Sequence, residues 1–166
     1  MSEKTWTKSH QLERREKLWP ILRERSTEYF SEDGVFQAMN PNRSNPDHRI
    51  PLEVAMPILQ GSESDRQFGN EILRANPIKI GECSFSTDYS LALWHNCEEH
   101  LDDDVRRTLL EKFEDGVRSY AKKDLRHHGY NDNHVTLATS SLVLGGELIG
   151  DDRAVDQGRC NLLNLR

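Results

Sequence analysis

Cysteine, tryptophan and methionine are scarce in this 166-residue chain, three of each, and no hydrophobic run is long. Cys83, Cys97 and Cys160 are odd in number, widely spaced and in no metal-ligand pattern. That excludes a disulfide framework and a cysteine-based zinc site, and all three are expected as reduced, buried thiols. No apolar stretch approaches the roughly 18 to 20 residues of a membrane span, so no membrane partner is expected. The opening MSEKTWTKSHQLERREK holds no hydrophobic segment that would act as a secretion signal, which makes cytoplasmic residence the expectation. Positive charge is in the minority as well, with 22 Lys and Arg against 28 Asp and Glu, a net charge of −6. Without a basic stripe, or Lys/Arg runs interleaved with aromatics, the chain lacks the footprint of a nucleic-acid partner.

What is present is helical periodicity in a chain long enough to bury a core, expected as one all-α domain over residues 1–166. Residues 8–30 have an uneven apolar face, with Pro20 placed to kink or restart the helix. Asp33-Gly34, Asn40-Pro41 and Asn45-Pro46 then punctuate a long loop. Pro51 suits a helix start, Ser62 or Ser64 the cap of a second helix, and Asn76-Pro77 its stop. Ser86 or Thr87 reads as the cap of an apolar helix running to about His100. Asp102, Asp103 and Asp104 open the clearest amphipathic helix, with Val105, Leu109, Phe113, Val117 and Tyr120 on one face. Residues 135–149 are apolar with a single charge. Gly150 should end that helix and Asp151 or Asp152 cap another, in which Val155, Gly158, Leu162 and Leu165 recur.

Three pairs emerge, each an apolar helix followed by an amphipathic one, at about 50–75, 87–122 and 133–166. An offset of 89 aligns Val54 with Val143, Leu59 with Leu148, Gly61 with Gly150, Gly69 with Gly158 and Leu73 with Leu162. Two ordinary helical hairpins with chance matches would give the same alignment. Consecutive inner and outer helices form either an α-solenoid or a closed ring.

The run GYNDNHVTLATSSLVLGGELIGDDRAVDQGRCNLLNLR resembles one hairpin of the (α/α) toroid domains of polysaccharide lyases of the alginate-lyase and heparinase kind, and of related glycoside-processing enzymes. The resemblance covers residues 129–166 closely and about 110 residues in pattern. It implies an all-α fold of consecutive inner and outer helical hairpins, a partial α/α toroid. A closed ring of six hairpins needs roughly 300 residues. The last residues also stop without a cap, so a fragment, or half of a larger toroid, is expected.

The resemblance further implies carbohydrate processing, either lyase-like removal of the proton next to a uronate carboxylate or glycosidase-like hydrolysis. A lyase needs a donor aimed at the developing enolate and a base within reach. Asn133 and His134 match the Asn-His pair such enzymes often place at an inner-helix start, with Tyr130 as partner acid or base. Asn131 and Arg43 are the candidates for holding an acidic oligosaccharide or polysaccharide. Asp88, with Trp94 or His95 one to two turns further on, is the candidate acid or base of a hydrolase. Each has a plainer role: Asn131, Asp132 and Asn133 as cap and turn, Asp88 as charge complementing a helix dipole, Arg43 as solvated loop. His127, His128, Asp132 and His134 fit no metal-ligand spacing, so neither metal nor cofactor is expected. The competing class is a non-enzymatic helical-repeat module or inactive remnant, completed by self-association or by a missing C-terminal portion.

Overall fold

The computed structural model describes residues 13–14, 17–18, 20–21, 24–25, 27–37, 49–81, 84–122 and 133–164. Among them lie six α-helices: α1 (Ile50–Leu59), α2 (Glu63–Ala75), α3 (Ser84–Cys97), α4 (Asp103–Ala121), α5 (Asn133–Ile149) and α6 (Asp152–Asn164). A 3-10 turn, Glu98–His100, follows α3. The only strand-like pairing described is an isolated bridge between Phe30 and Phe36. The all-α expectation is met, and no described helix is long and apolar enough to cross a membrane.

Local chemistry sets most helix ends. Pro51 occupies the first turn of α1, where its missing N–H costs no bond. Ser62 and Asp65 form a reciprocal capping box on α2: the serine oxygen accepts from the Asp65 N–H, and the Asp65 carboxylate accepts from that of Ser62. Gly150, at φ +72°, closes α5 in the left-handed conformation, and the Asp151 carboxylate accepts from the N–H groups of Arg153 and Ala154. Asp102 precedes α4 without capping it by its side chain, because its carboxylate is taken by Arg74. The start of α3 differs from expectation. The helix begins at Ser84, so Ser86 and Thr87 are buried within it and cap nothing. The Thr87 hydroxyl instead accepts from the Gly81 N–H at 3.0 Å and meets the Tyr120 hydroxyl at 3.2 Å.

Three helices run parallel in one layer. Arg49 stacks over the Phe85 ring at the start of α1 and α3, while the Cys97 thiol donates to the Met56 carbonyl and accepts from Gln60 near their ends. α4 runs opposite to α3, with Thr87 beside Tyr120 and Trp94 edge-on to Phe113 at 6.0 Å. It also runs opposite to α5: a Cβ on Gly145 would come within 2.7 Å of Val117, while Leu148 and Ile149 pack on the cluster that contains Phe113. α1, α3 and α5 therefore share a direction. α6 folds back on α5 so closely that a Cβ on Gly158 would lie 2.7 Å from the Val143 methyl.

α2 breaks the pattern. Gly69 packs on Leu59, at the end of α1, whereas Gly158 packs on Val143 and Leu142. At its other end Arg74 binds Asp102 and Asp104, and Asn70 donates to the His100 carbonyl and accepts from the Asp102 N–H. Both ends of α2 thus lie near the ends of α1 and α3, so the helix crosses that pole instead of running back along α1. The 89-residue offset is not reproduced in packing, and Gly61 lacks the positive φ of Gly150. The core divides accordingly. One apolar cluster joins α1, α2 and α3 to the first half of α4, and a second joins the end of α4 to α5 and α6. Asn76, the α2 cap residue, donates to the Gly34 and Ile72 carbonyls and accepts from the Phe36 N–H, tying the 27–37 turn to the helix end.

Ahead of the 27–37 turn, residues 13, 14, 17, 18, 20, 21, 24 and 25 are helical, Pro20 among them. Cys97 is buried as expected, but Cys160 is exposed, because it lies on the side of α6 away from Val155 and Gly158. Cys83 lies outside the described residues.

Candidate functional site

The parallel course of α3 and α5 leaves a cleft of about 700 Å³ between them. Its wall on α3 is a helical stripe, Asp88, Leu91, Ala92 and His95, at spacings of three and four residues. The facing wall on α5 is a matching stripe, Leu144, Glu147 and Leu148, and Glu98 closes the end beyond α3. Leu144 is 50% exposed on a helix otherwise packed against three neighbours. Trp94 also borders the cleft, but it is buried and packs edge-on against Phe113 in the core.

The ionisable groups of the lining are three carboxylates, Asp88, Glu98 and Glu147, and one imidazole, His95. Arg159 of α6 reaches Glu147 at 3.7 Å. Arg106 donates to the backbone carbonyl of Glu98 while pairing with Asp103 at 3.5 Å. The lining is therefore acidic overall. The less exposed of the wall residues, Leu91, Ala92 and Leu148, give the cleft an apolar floor with Leu144 at its edge, a combination suited to a ligand with a hydrophobic face and polar edges.

Asp88 alone among the expected site residues is described with its side chain, and it is exposed. It is the fifth residue of α3, so it does not complement the helix start as first-turn charge. Asn133 and His134 open α5 as expected, but their side chains lie outside the described residues, as do Tyr130, Asn131 and Arg43 entirely. The two parts of the expected site differ in height. Thr87 lies level with Tyr120, and Val117 with Gly145, so Asp88 is level with the middle of α5. His134 begins the helix roughly two turns, about 12 Å, nearer the pole. Asp88 and the α5 start face the same end of the molecule without sharing one cleft level.

His95 was placed beside Asp88 by helical spacing alone. Leu144 and Glu147 were not expected in the site, although Glu147 is the single charge in the apolar run 135–149, a visible signal. Among the described residues no group of three His, Cys, Asp or Glu gathers to hold a metal ion. His127, His128 and Asp132 lie outside them. No family model matches the chain, and no curated protein or solved structure matches it.

Proposed function

We propose that this chain is a carbohydrate-processing helical domain of the partial α/α toroid type, and that a saccharide chain lies in the cleft between α3 and α5. The observation that carries the reading is that two carboxylates, Asp88 and Glu147, on adjacent parallel helices, line one cleft with an apolar floor. Glycoside hydrolysis uses two carboxyl groups flanking the scissile bond, one as acid and one as base or nucleophile. The hydrolase branch is thus favoured over elimination, which rests on Tyr130, Asn133 and His134, with Asn131 and Arg43 holding an acidic substrate. The shared direction of α1, α3 and α5, with α4 and α6 running back against α5, supports the reading of inner and outer helices. The crosswise α2 departs from a toroid hairpin.

The test is turnover of a panel of polysaccharides by the chain and three variants, read as new reducing ends for hydrolysis and as ultraviolet absorbance of an unsaturated uronate for elimination. Asp88→Asn and Glu147→Gln should each abolish hydrolysis with the helical content unchanged. Loss of elimination in His134→Ala, with both carboxylate variants active, would return the site to the α5 start. A second reading, a non-enzymatic helical module, is favoured by Leu162 and Leu163 on α6, exposed by 47% and 64%. Absence of turnover on every polymer, together with concentration-dependent association, would establish that reading instead.

A further inference from the structure

Resting on the saccharide reading of the α3/α5 cleft, we infer that the cleft selects a sugar chain carrying amino groups over an acidic one. The charge on its lining is one-sided. Asp88 stands on one wall, Glu147 on the other and Glu98 at the end, against the imidazole of His95. Only Glu147 has a cation at its side chain among the ion pairs described, and Arg159 lies at 3.7 Å on the neighbouring helix, outside the lining. A uronate oligomer laid along the cleft passes a carboxylate on each wall and one at its end, and the whole chain adds to the repulsion with a net charge of −6. Ammonium groups along the same path are attracted by the same carboxylates. The apolar floor, with half-exposed Leu144, offers a surface to the hydrophobic face of a pyranose ring, so the ring would bind flat with its amine directed to the carboxylate rim. The acidic polymer expected from the family resemblance is the poorer fit to this cleft.

The experiment compares three oligosaccharides of equal length by titration of the full chain: β-linked glucosamine, its N-acetylated counterpart and a uronate oligomer. The first two share ring and linkage and differ in the charge and the acetyl group, so the salt-dependent part of their difference reads the charge. Glucosamine should bind about fivefold or more tighter than the N-acetylated oligomer at low salt, with the advantage shrinking as ionic strength rises. Asp88→Asn combined with Glu147→Gln should erase that advantage, so that the double variant no longer distinguishes the two oligomers at low salt. Equal binding of the two, or tighter binding of the uronate oligomer, overturns the charge selection and leaves the saccharide reading standing. Binding of none of the three overturns both. Loss of glucosamine binding in the double variant counts in favour only if its circular dichroism matches that of the parent, and Leu144→Ala provides the independent check. That variant should weaken all three oligomers alike, and a loss confined to glucosamine would contradict the role given to the apolar floor.

Discussion

Replacing Asn70 by alanine should be among the most damaging single changes in the α2 region, although the residue is neither apolar nor in contact with the cleft. Its side chain is 1% exposed and belongs to α2, yet two of its three bonds reach the other side of the α2–α4 joint. The amide nitrogen donates to the His100 carbonyl and to the Arg66 carbonyl, each at 3.0 Å, and the oxygen accepts from the Asp102 N–H at 2.9 Å. The Arg66 carbonyl keeps its place in the helix ladder, so the loss concentrates on His100 and Asp102. Each protein hydrogen bond contributes about 1 kcal/mol net, and a buried group left unpaired costs about 1 to 3 kcal/mol. Two such groups give roughly 2 to 6 kcal/mol, the lower figure applying where water enters the vacated space. For a domain of this size 3 kcal/mol corresponds to a fall in Tm of about 6 to 12 °C. Urea unfolding followed by circular dichroism measures it directly, as a lower midpoint at unchanged slope. Asn70→Asp should be at least as harmful, since it discards the donor and sets a carboxylate beside the acidic start of α4. A change below about 0.5 kcal/mol in Asn70→Ala would refute the reasoning, because it would mean that the joint is held without this amide.

Three other outcomes are expected. Asp104 has its carboxyl pulled down to about 2 by hydrogen bonds from Arg74, so its contribution is present above the unfolded carboxylate range near 4 and is lost as pH falls from there toward 2. In Asp104→Asn that part of the acid dependence of Tm should vanish, and an unchanged acid profile would contradict the assignment. Gly158→Ala should cost about 1 to 3 kcal/mol by forcing a methyl into Val143 and Leu142, whereas Gly150→Ala, with nothing near the added carbon, should cost about 1 kcal/mol of backbone strain; equal unfolding midpoints for wild type and Gly158→Ala would exclude the close α5–α6 approach. Cys160 should react with a thiol reagent in the native protein and Cys97 only on unfolding, as read by mass spectrometry of the labelled peptides.

The helix ends were legible because they are local chemistry. Pro51, the Ser62 capping box and Gly150 each act within a few residues of themselves. Ser86 and Thr87 misled for the same reason: a threonine hydroxyl looks the same whether it caps its own helix or, as here, receives the Gly81 N–H and meets Tyr120. The amphipathic pattern of α2 showed which face is buried but not what it lies against. Its crossing of the α1 and α3 ends is fixed by Arg74, Asn70 and Gly69, which act over 28 residues or more in two cases. In the cleft, helical spacing joined His95 to Asp88 within one helix, but only the packing of α5 on α3 brings Glu147 and Leu144 opposite them.

Asn76 carries a consequence for the order in which the chain acquires its shape. Its amide is shared by the end of α2 and by a turn 42 residues upstream, where Gly34 gives up its carbonyl. That turn cannot be fastened early, since closing so long a segment costs entropy that the contact recovers only once α2 stands. Emerging from the ribosome ahead of α2, residues 27–37 would wait for that helix before their turn is tied down.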